Sequence, residues 1–435
     1  MRIKEKKEII EFVDQLGEII STGPNDAAVL SMAAETAEAI GKLCKKAGKE
    51  KQALYSEVFD GIQNALNVGA EETNPDERQQ IITLVLDLIQ SVKTELEKEP
   101  AKKEIVFLPY KASMWDSLES VWRAAYEDRE NCNTYVIPIP YADRNPDGSA
   151  KEWHCEINEF PKDVPVIDYR VVDLKELNPD EIYIHNPYDG YNFITSVDSR
   201  YYSSELVKYT DKLIYIPYFV LDDINSAPET VEHFADVPAV HNAHIVILQS
   251  EKMRERYVKA LVGIYGEQTR SVWEEKIKGW GSPKLDKVKN TKREDIEIPE
   301  AWERIIKKPD GSCKKVILYN TGLSTLLKEG EKLLRKIEST FRIFYEHRGE
   351  VALWWRPHPL IPATLDSMRP ELKQQYSDIV AKFKNDGWGI YDDTADLNRA
   401  IAASDAYYGD ASSLTKLFQE AGKPAMIENV GILSS

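Results

Sequence analysis

From Glu104 onward the chain repeats one pattern, a short apolar run followed by an amphipathic stretch, and it does so in two blocks. The first block holds EIVFLPY (104–110), TYVIPIPY (134–141), VPVIDY (164–169), EIYIHNPYD (181–189), KLIYIPYFV (212–220) and AHIVILQS (243–250). The second holds KKVILYNTG (314–322), EVALWWRPHP (350–359), GWGIYDD (387–393) and the run at Ala406, Tyr407 and Tyr408, with helical patterns over 325–347, 363–385, 395–403 and after Ser412. Apolar runs bounded by turn residues and alternating with helices dictate parallel sheets of the α/β class. The stretch 262–312 reads as loop-rich and separates the blocks. Two such domains joined by a hinge place a ligand cleft at the carboxyl ends of their strands.

Residues 1–100 are different. Ile9, Ile10, Val13, Leu16, Ile19 and Ile20 form one helical stripe, and amphipathic segments follow over 26–47, 51–68 and 75–98, punctuated by Gly23-Pro24 and Asn74-Pro75. The expected organisation is therefore a helical region over 1–100 for oligomerisation or partner binding, a Rossmann-like acceptor-side domain over 101–250, and a Rossmann-like donor domain over 251–435. A length of 435 residues suits two or three domains at about 150 residues each. After the last strand pattern the sequence ends in LSS (433–435), with no long helix left to cross back to the first α/β domain.

Charge excludes a general nucleic-acid binder. The net charge is −17, and a phosphate backbone demands a basic footprint. Cys44, Cys132, Cys155 and Cys313 form neither a CxxC pair nor a metal-ligand set, which fits a reducing cytoplasmic compartment. No stretch approaches the ~20 apolar residues of a membrane span, so attachment to a membrane would be peripheral. His241 and His244 have no further ligands grouped with them, and no metal is expected. Signatures of the GxSxG, Walker A and GxGxxG types are missing from the sequence.

Candidate site residues cluster at strand ends. In WWRPHPL, Pro357 and Pro359 end a buried strand, and Arg356 and His358 share a face there. They read either as phosphate ligands or as a surface Arg beside a packed His. His185 and Asp189 follow the strand EIYI and read as an acid/base pair or as an Asn-Pro turn with an Asp cap. In GDASSLTKLFQEAGKP, Leu414, Leu417, Phe418 and Ala421 give a buried helix face, Ser412 or Ser413 is the N-cap, and Gly422 and Pro424 are stop signals. A Gly turn before a hydroxyl-rich helix start is a potential anion site, or an ordinary capped connection. Ser113, after the first strand, is a further candidate for the cleft.

The ordered set GSPKLDKV, KKVILYNTGLS, WWRPHPL and YDDTADLNRAIAASDAYYGDASSLTKLFQEAGKPAMI resembles the CDP-glycerol glycerophosphotransferase family, the polymerases and primases of teichoic acid synthesis. The resemblance covers the C-terminal part of the chain, extends more loosely over 104–250, and does not reach the first hundred residues. It implies a GT-B fold of two Rossmann-like domains, with a donor such as CDP-glycerol in the second and a polyol or glycan acceptor, lipid-linked acceptors included. It implies a donor-domain motif at Gly281, Pro283 and Asp286, and donor phosphates held by Arg356, His358, Asp410, Ser412 and Ser413. No cofactor beyond the donor is called for. The family's Trp-His-Gly-Thr-Pro motif is not matched: the corresponding strand reads YIPYFV. Tyr218 takes that neighbourhood, and the acceptor's base would be His185 or Asp189. Two other readings keep the fold: a UDP-sugar-dependent transferase or epimerase-like enzyme, and a non-catalytic nucleotide-fold scaffold.

Overall fold

The structure is a computed structural model and describes residues 1–44, 52–224, 226–394 and 396–431. The ends of two expected helices at 45–51, and the terminal 433–435, lie outside these residues. Contacts divide the chain into one compact unit of residues 1–105 with 125–134, and a second formed by the rest.

The first unit is built from α1 (Ile3–Thr22), α2 (Ala27–Cys44), α3 (Gln52–Glu71) and α4 (Pro75–Lys98). Their apolar stripes converge on a core that includes Val13, Leu16, Ile20, Leu30, Phe59, Ile62, Leu66 and Leu96. Ala33, Ala37 and Gly41 put small side chains on α2, and a Cβ at Gly41 would meet the Phe59 Cβ at 3.3 Å. Asn74 caps α4 by accepting from the Asp76 amide, with Pro75 at the first helical position.

The strands follow as β1 (Lys103–Leu108), β2 (Cys132–Val136), a hairpin of β3 (Tyr141–Arg144) and β4 (Ala150–His154), β5 (Glu181–Ile184), β6 (Thr195–Val197), β7 (Lys212–Tyr215), β8 (Ile245–Ile247) and β9 (Ile277–Lys278). The first large sheet has the order β2-β1-β5-β7-β8-β9, with the pairs from β5 to β9 parallel. VPVIDY contributes only an isolated bridge, Val136 to Val166. β3, β4 and β6 make a separate antiparallel sheet that the sequence reading did not foresee.

The second lobe contains β10 (Lys315–Thr321), β11 (Val351–Pro357), β12 (Ile390–Tyr391), β13 (Ala406–Gly409) and β14 (Ala425–Ile427), all parallel in the order β12-β11-β10-β13-β14. The fold is thus α/β, a GT-B-like pair of Rossmann-like lobes with parallel sheets preceded by an all-α region. Strands buried on both faces explain the near-continuous apolar runs: Val316, Leu318, Leu353, Trp354 and Trp355 are fully buried. The expected long helix is broken at Gly330 into Leu323–Glu329 and Glu331–Glu346.

Two expectations about boundaries change. β9 joins the first sheet, so that lobe runs to residue 278 rather than ending at 250. The stretch 262–312 is not mainly loop; it holds the helices Arg270–Lys276, Pro283–Asn290 and Glu300–Ile306. The lobes are joined by buried polar contacts. Lys284 Nζ lies 2.8 Å from both oxygens of Asp116, and Asn398 Nδ2 donates to the same carboxylate at 3.3 Å. Lys416 reaches Asp223 at 3.2 Å, and Val220 packs into the second lobe's core. Among the described residues no helix is long and apolar enough to cross a membrane.

Candidate functional site

Strand order reverses between β1 and β5 in the first sheet, and between β10 and β13 in the second, so ligand chemistry is sought where these strands end. Lys111 lies three residues past β1. Its ammonium stands 4.6 Å over the Tyr141 ring; burial pulls its pKa down, and the Glu156 and Asp143 carboxylates oppose that. His358 lies just past β11. Its Nδ1 accepts the Leu360 amide at 3.2 Å, which leaves the proton on Nε2. Burial, with Lys111's positive charge as a lesser cause, lowers the His358 pKa to about 4. The ring is therefore a neutral donor at physiological pH, and it comes close enough to feel a cation presented by the other lobe.

The helix start behind GDASS is equally specific. Gly409 has φ +140°, and a Cβ there would fall 2.1 Å from the Asn320 carbonyl oxygen, so only glycine lets β13 pass β10. Ser412 is the N-cap of the Ser413–Glu420 helix and accepts the Leu414 amide at 3.2 Å. Ser413 is exposed, and its hydroxyl has no partner among the described residues. Asp410 faces inward instead. Its carboxylate accepts the Gly322 amide, and burial raises its pKa. It thus occupies the start of the Leu323–Glu329 helix rather than offering itself to a phosphate.

Arg356 also takes another role. Its Nη1 is 2.7 Å from Asp392, a fully buried carboxylate, and its Nη2 donates to the Thr394 carbonyl at 2.6 Å. Asp392 in turn accepts from the Trp354 indole at 2.9 Å. The guanidinium ties β11 to the segment after β12, so the expected Arg356–His358 pair divides into a buried strut and an open donor.

The three expected catalytic residues do not form an acid/base set. His185 is 0% exposed; its Nε2 accepts the Tyr110 amide at 3.1 Å, and its Nδ1 is 3.0 Å from Ser117 Oγ. Burial lowers its pKa to about 3. Both nitrogens serve to hold the segment after β1. Asp189 is buried with φ +49° and accepts the Ser203 amide and hydroxyl at 2.7 and 2.8 Å. It is a turn-and-cap residue, remote in role from His185. The Tyr218 ring packs edge-on against Tyr110 with centroids 6.4 Å apart, and burial holds its pKa well above the usual phenol value, so it stays protonated.

Gly281, with φ +117°, donates its amide to Leu248, and Pro283 opens the Pro283–Asn290 helix. This turn aims Lys284 at Asp116, while Asp286 is exposed. The motif therefore builds the junction between lobes.

A buried neutral His has a measurable consequence. Unfolded His185 has a pKa near ~6.5, so below that pH the unfolded chain binds a proton that the folded chain refuses. Stability is expected to fall as pH drops from ~6.5 toward 4, by up to about 3 kcal/mol from this residue. Urea titrations across that range should show the slope, and His185→Gln should reduce it by this residue's share, leaving the part due to His358.

Sequence reasoning missed Lys111, although it directly follows the EIVFLPY run. It also missed the small sheet beside it, where Tyr141 donates to Glu156 at 2.5 Å and His154 Nε2 lies 3.1 Å from Asp143. Asp143, Glu152 and His154 bring one potential ligand atom each within 4.8 Å of one another, a grouping the sequence reading of metal ligands did not contain.

No family model and no curated protein matches the chain. Solved structures do. A UDP-N-acetylglucosamine 2-epimerase from Neisseria meningitidis, bound to UDP-N-acetylglucosamine, aligns at TM-score 0.44 and 9% identity over 74% of this chain and 82% of that one. The Methanocaldococcus jannaschii UDP-N-acetylglucosamine 2-epimerase, in complex with UDP-N-acetylglucosamine and UDP, aligns at TM-score 0.42 and 11% identity over 75% and 83%. A glycosyltransferase from Rickettsia africae aligns at TM-score 0.37 and 14% identity over 75% and 79%. These likenesses are too distant to assign an activity. The resemblance to CDP-glycerol glycerophosphotransferases is corrected by the same comparisons: no family model or curated protein supports it, and the structural neighbours are of other kinds.

Proposed function

We propose that the chain is a GT-B-type enzyme that binds a nucleoside-diphosphate sugar between its lobes and transfers the sugar to a hydroxyl acceptor. One observation carries this reading. Lys111 and His358 stand just past strand ends of opposite lobes, after β1 and β11, one a cation and the other a neutral N–H donor. With the exposed Ser413 at a helix start, they supply charge, a directed hydrogen bond and a helix dipole to a diphosphate.

Transfer would break the bond between the sugar's anomeric carbon and the β-phosphate oxygen, and form one to the acceptor oxygen. Negative charge grows on the departing diphosphate, so groups fixed around it before reaction lower the barrier. His154, paired with Asp143 and packed against the Tyr141 ring beneath Lys111, is the candidate to receive the acceptor's proton. UDP-sugars are the donors to try first, since structural neighbours carry UDP and UDP-N-acetylglucosamine.

The test is release of UDP from a panel of UDP-sugars with and without saccharide acceptors. Turnover that falls about 100-fold or more in Lys111→Ala is expected. Binding of nucleotide without turnover for any acceptor would leave a nucleotide-binding protein and overturn the enzymatic reading.

A further inference from the structure

A cavity of about 650 Å³ opens between the lobes, and its lining begins one residue after Lys111. The segment 111–116 connects cavity and candidate site: Lys111 lies over the Tyr141 ring, while Ala112, Ser113 and Trp115 line the cavity. Its volume falls within the ~300–1,000 Å³ of small-molecule sites.

Its polar atoms are unusual. Trp115 is 2% exposed, yet its indole N–H has no acceptor. On the second lobe, the Asn398 side-chain amide oxygen and the Arg399 Nε–H are buried and unpartnered as well. Buried polar groups are nearly always paired, because an unmade hydrogen bond costs the full desolvation of the group. All three residues line this one cavity, so a ligand there can complete the hydrogen bonding once a side chain turns toward it.

Charge then selects the ligand. The rim carries Glu159, Asp295, Glu297 and Asp396 against Lys162 and Arg399, since Lys287 is paired with Glu119 at 3.1 Å. This surplus of negative charge repels a diphosphate but suits hydroxyl groups, which donate to carboxylates and to Asn398 and accept from Trp115. Trp115 and Phe160, with ring centroids 5.7 Å apart, supply an apolar wall of the kind that covers one face of a sugar ring.

The geometry points to this cavity as a binding site for a neutral polyhydroxylated ligand, the saccharide or polyol that serves as acceptor. The acceptor role rests on the transferase reading above; binding of the hydroxylated ligand does not. The cavity's lining does not include Lys111, His358 or Ser413, and the 111–116 segment runs from one place to the other.

The experiment labels the indole nitrogens of the nine tryptophans and follows the Trp115 N–H resonance, assigned with Trp115→Phe, during titration with glucose, N-acetylglucosamine, maltose, UDP and spermidine. A saturable shift with at least one neutral sugar is expected. In Asn398→Ala, shown to be folded by its thermal transition, half-saturation should need about tenfold more sugar, the value of one hydrogen bond. Movement with UDP or spermidine alone, or with none of the five, overturns the proposal. Calorimetry with UDP on the same wild-type sample scores the donor reading separately, so sugar binding without UDP binding would defeat the transferase and leave the cavity site standing.

Discussion

Asp116→Ala will destabilise the protein by about 3–5 kcal/mol. The carboxylate and the Lys284 ammonium are 8% and 7% exposed, and the two N–O distances of 2.8 Å show a fully engaged pair. Removing the carboxylate leaves a cation inside the lobe junction with no counter-charge. A buried pair is nonetheless poor evidence of net stabilisation, because desolvating both ions costs about as much as their attraction returns. Asp116→Leu combined with Lys284→Met should therefore recover most of the loss, ending within about 2 kcal/mol of the wild type. Urea denaturation of the single and double variants gives both numbers. A single variant within 1 kcal/mol of wild type would show that water reaches the pair and that it does not hold the lobes.

Lys111→Ala is expected to weaken UDP-sugar binding by roughly 10- to 100-fold, the range of one charge-assisted hydrogen bond. His358→Ala should weaken it by about tenfold, since a neutral donor is lost. Between pH 6 and 8 the His358 contribution should stay constant, because the ring is already neutral there. Arg356→Met provides the contrast. It strips the counter-charge from Asp392 and should lower stability, while affinity per folded molecule stays within about threefold of wild type. If Arg356→Met abolished binding in a folded protein and Lys111→Ala did not, the assignment of strut and ligand would be reversed.

Much of the architecture was legible because parallel strands buried on both faces write themselves as apolar runs. EIVFLPY, KKVILYNTG and EVALWWRPHP became β1, β10 and β11 with little change. The small antiparallel sheet was not legible in that way: β4 is largely exposed and its residues are mostly polar. Its one clear signal is Asn145-Pro146-Asp147-Gly148, a turn sequence that ends in a glycine at φ +84°.

The site was harder to read, for a physical reason. Polar residues at a strand end can face the cleft or the neighbouring segment, and only the strand order decides. β5 lies between β1 and β7, so His185 meets the Tyr110 amide instead of a ligand. Arg356 finds Asp392, which sits far along the chain but one strand away. The residues that carried the family resemblance explain its failure. Gly281, Pro283, Arg356 and Asp410 shape turns, helix starts and struts of a two-lobed fold, so they report architecture rather than substrate.

The most direct measurement is calorimetric titration of the wild type, Lys111→Ala and His358→Ala with UDP and a set of UDP-sugars. Saturable binding to the wild type, weakened in both variants while their thermal transitions stay near the wild-type value, is the predicted result. Wild-type protein that is folded and binds none of these nucleotides, or variants that bind as tightly as it does, would contradict the placement of a diphosphate between Lys111 and His358.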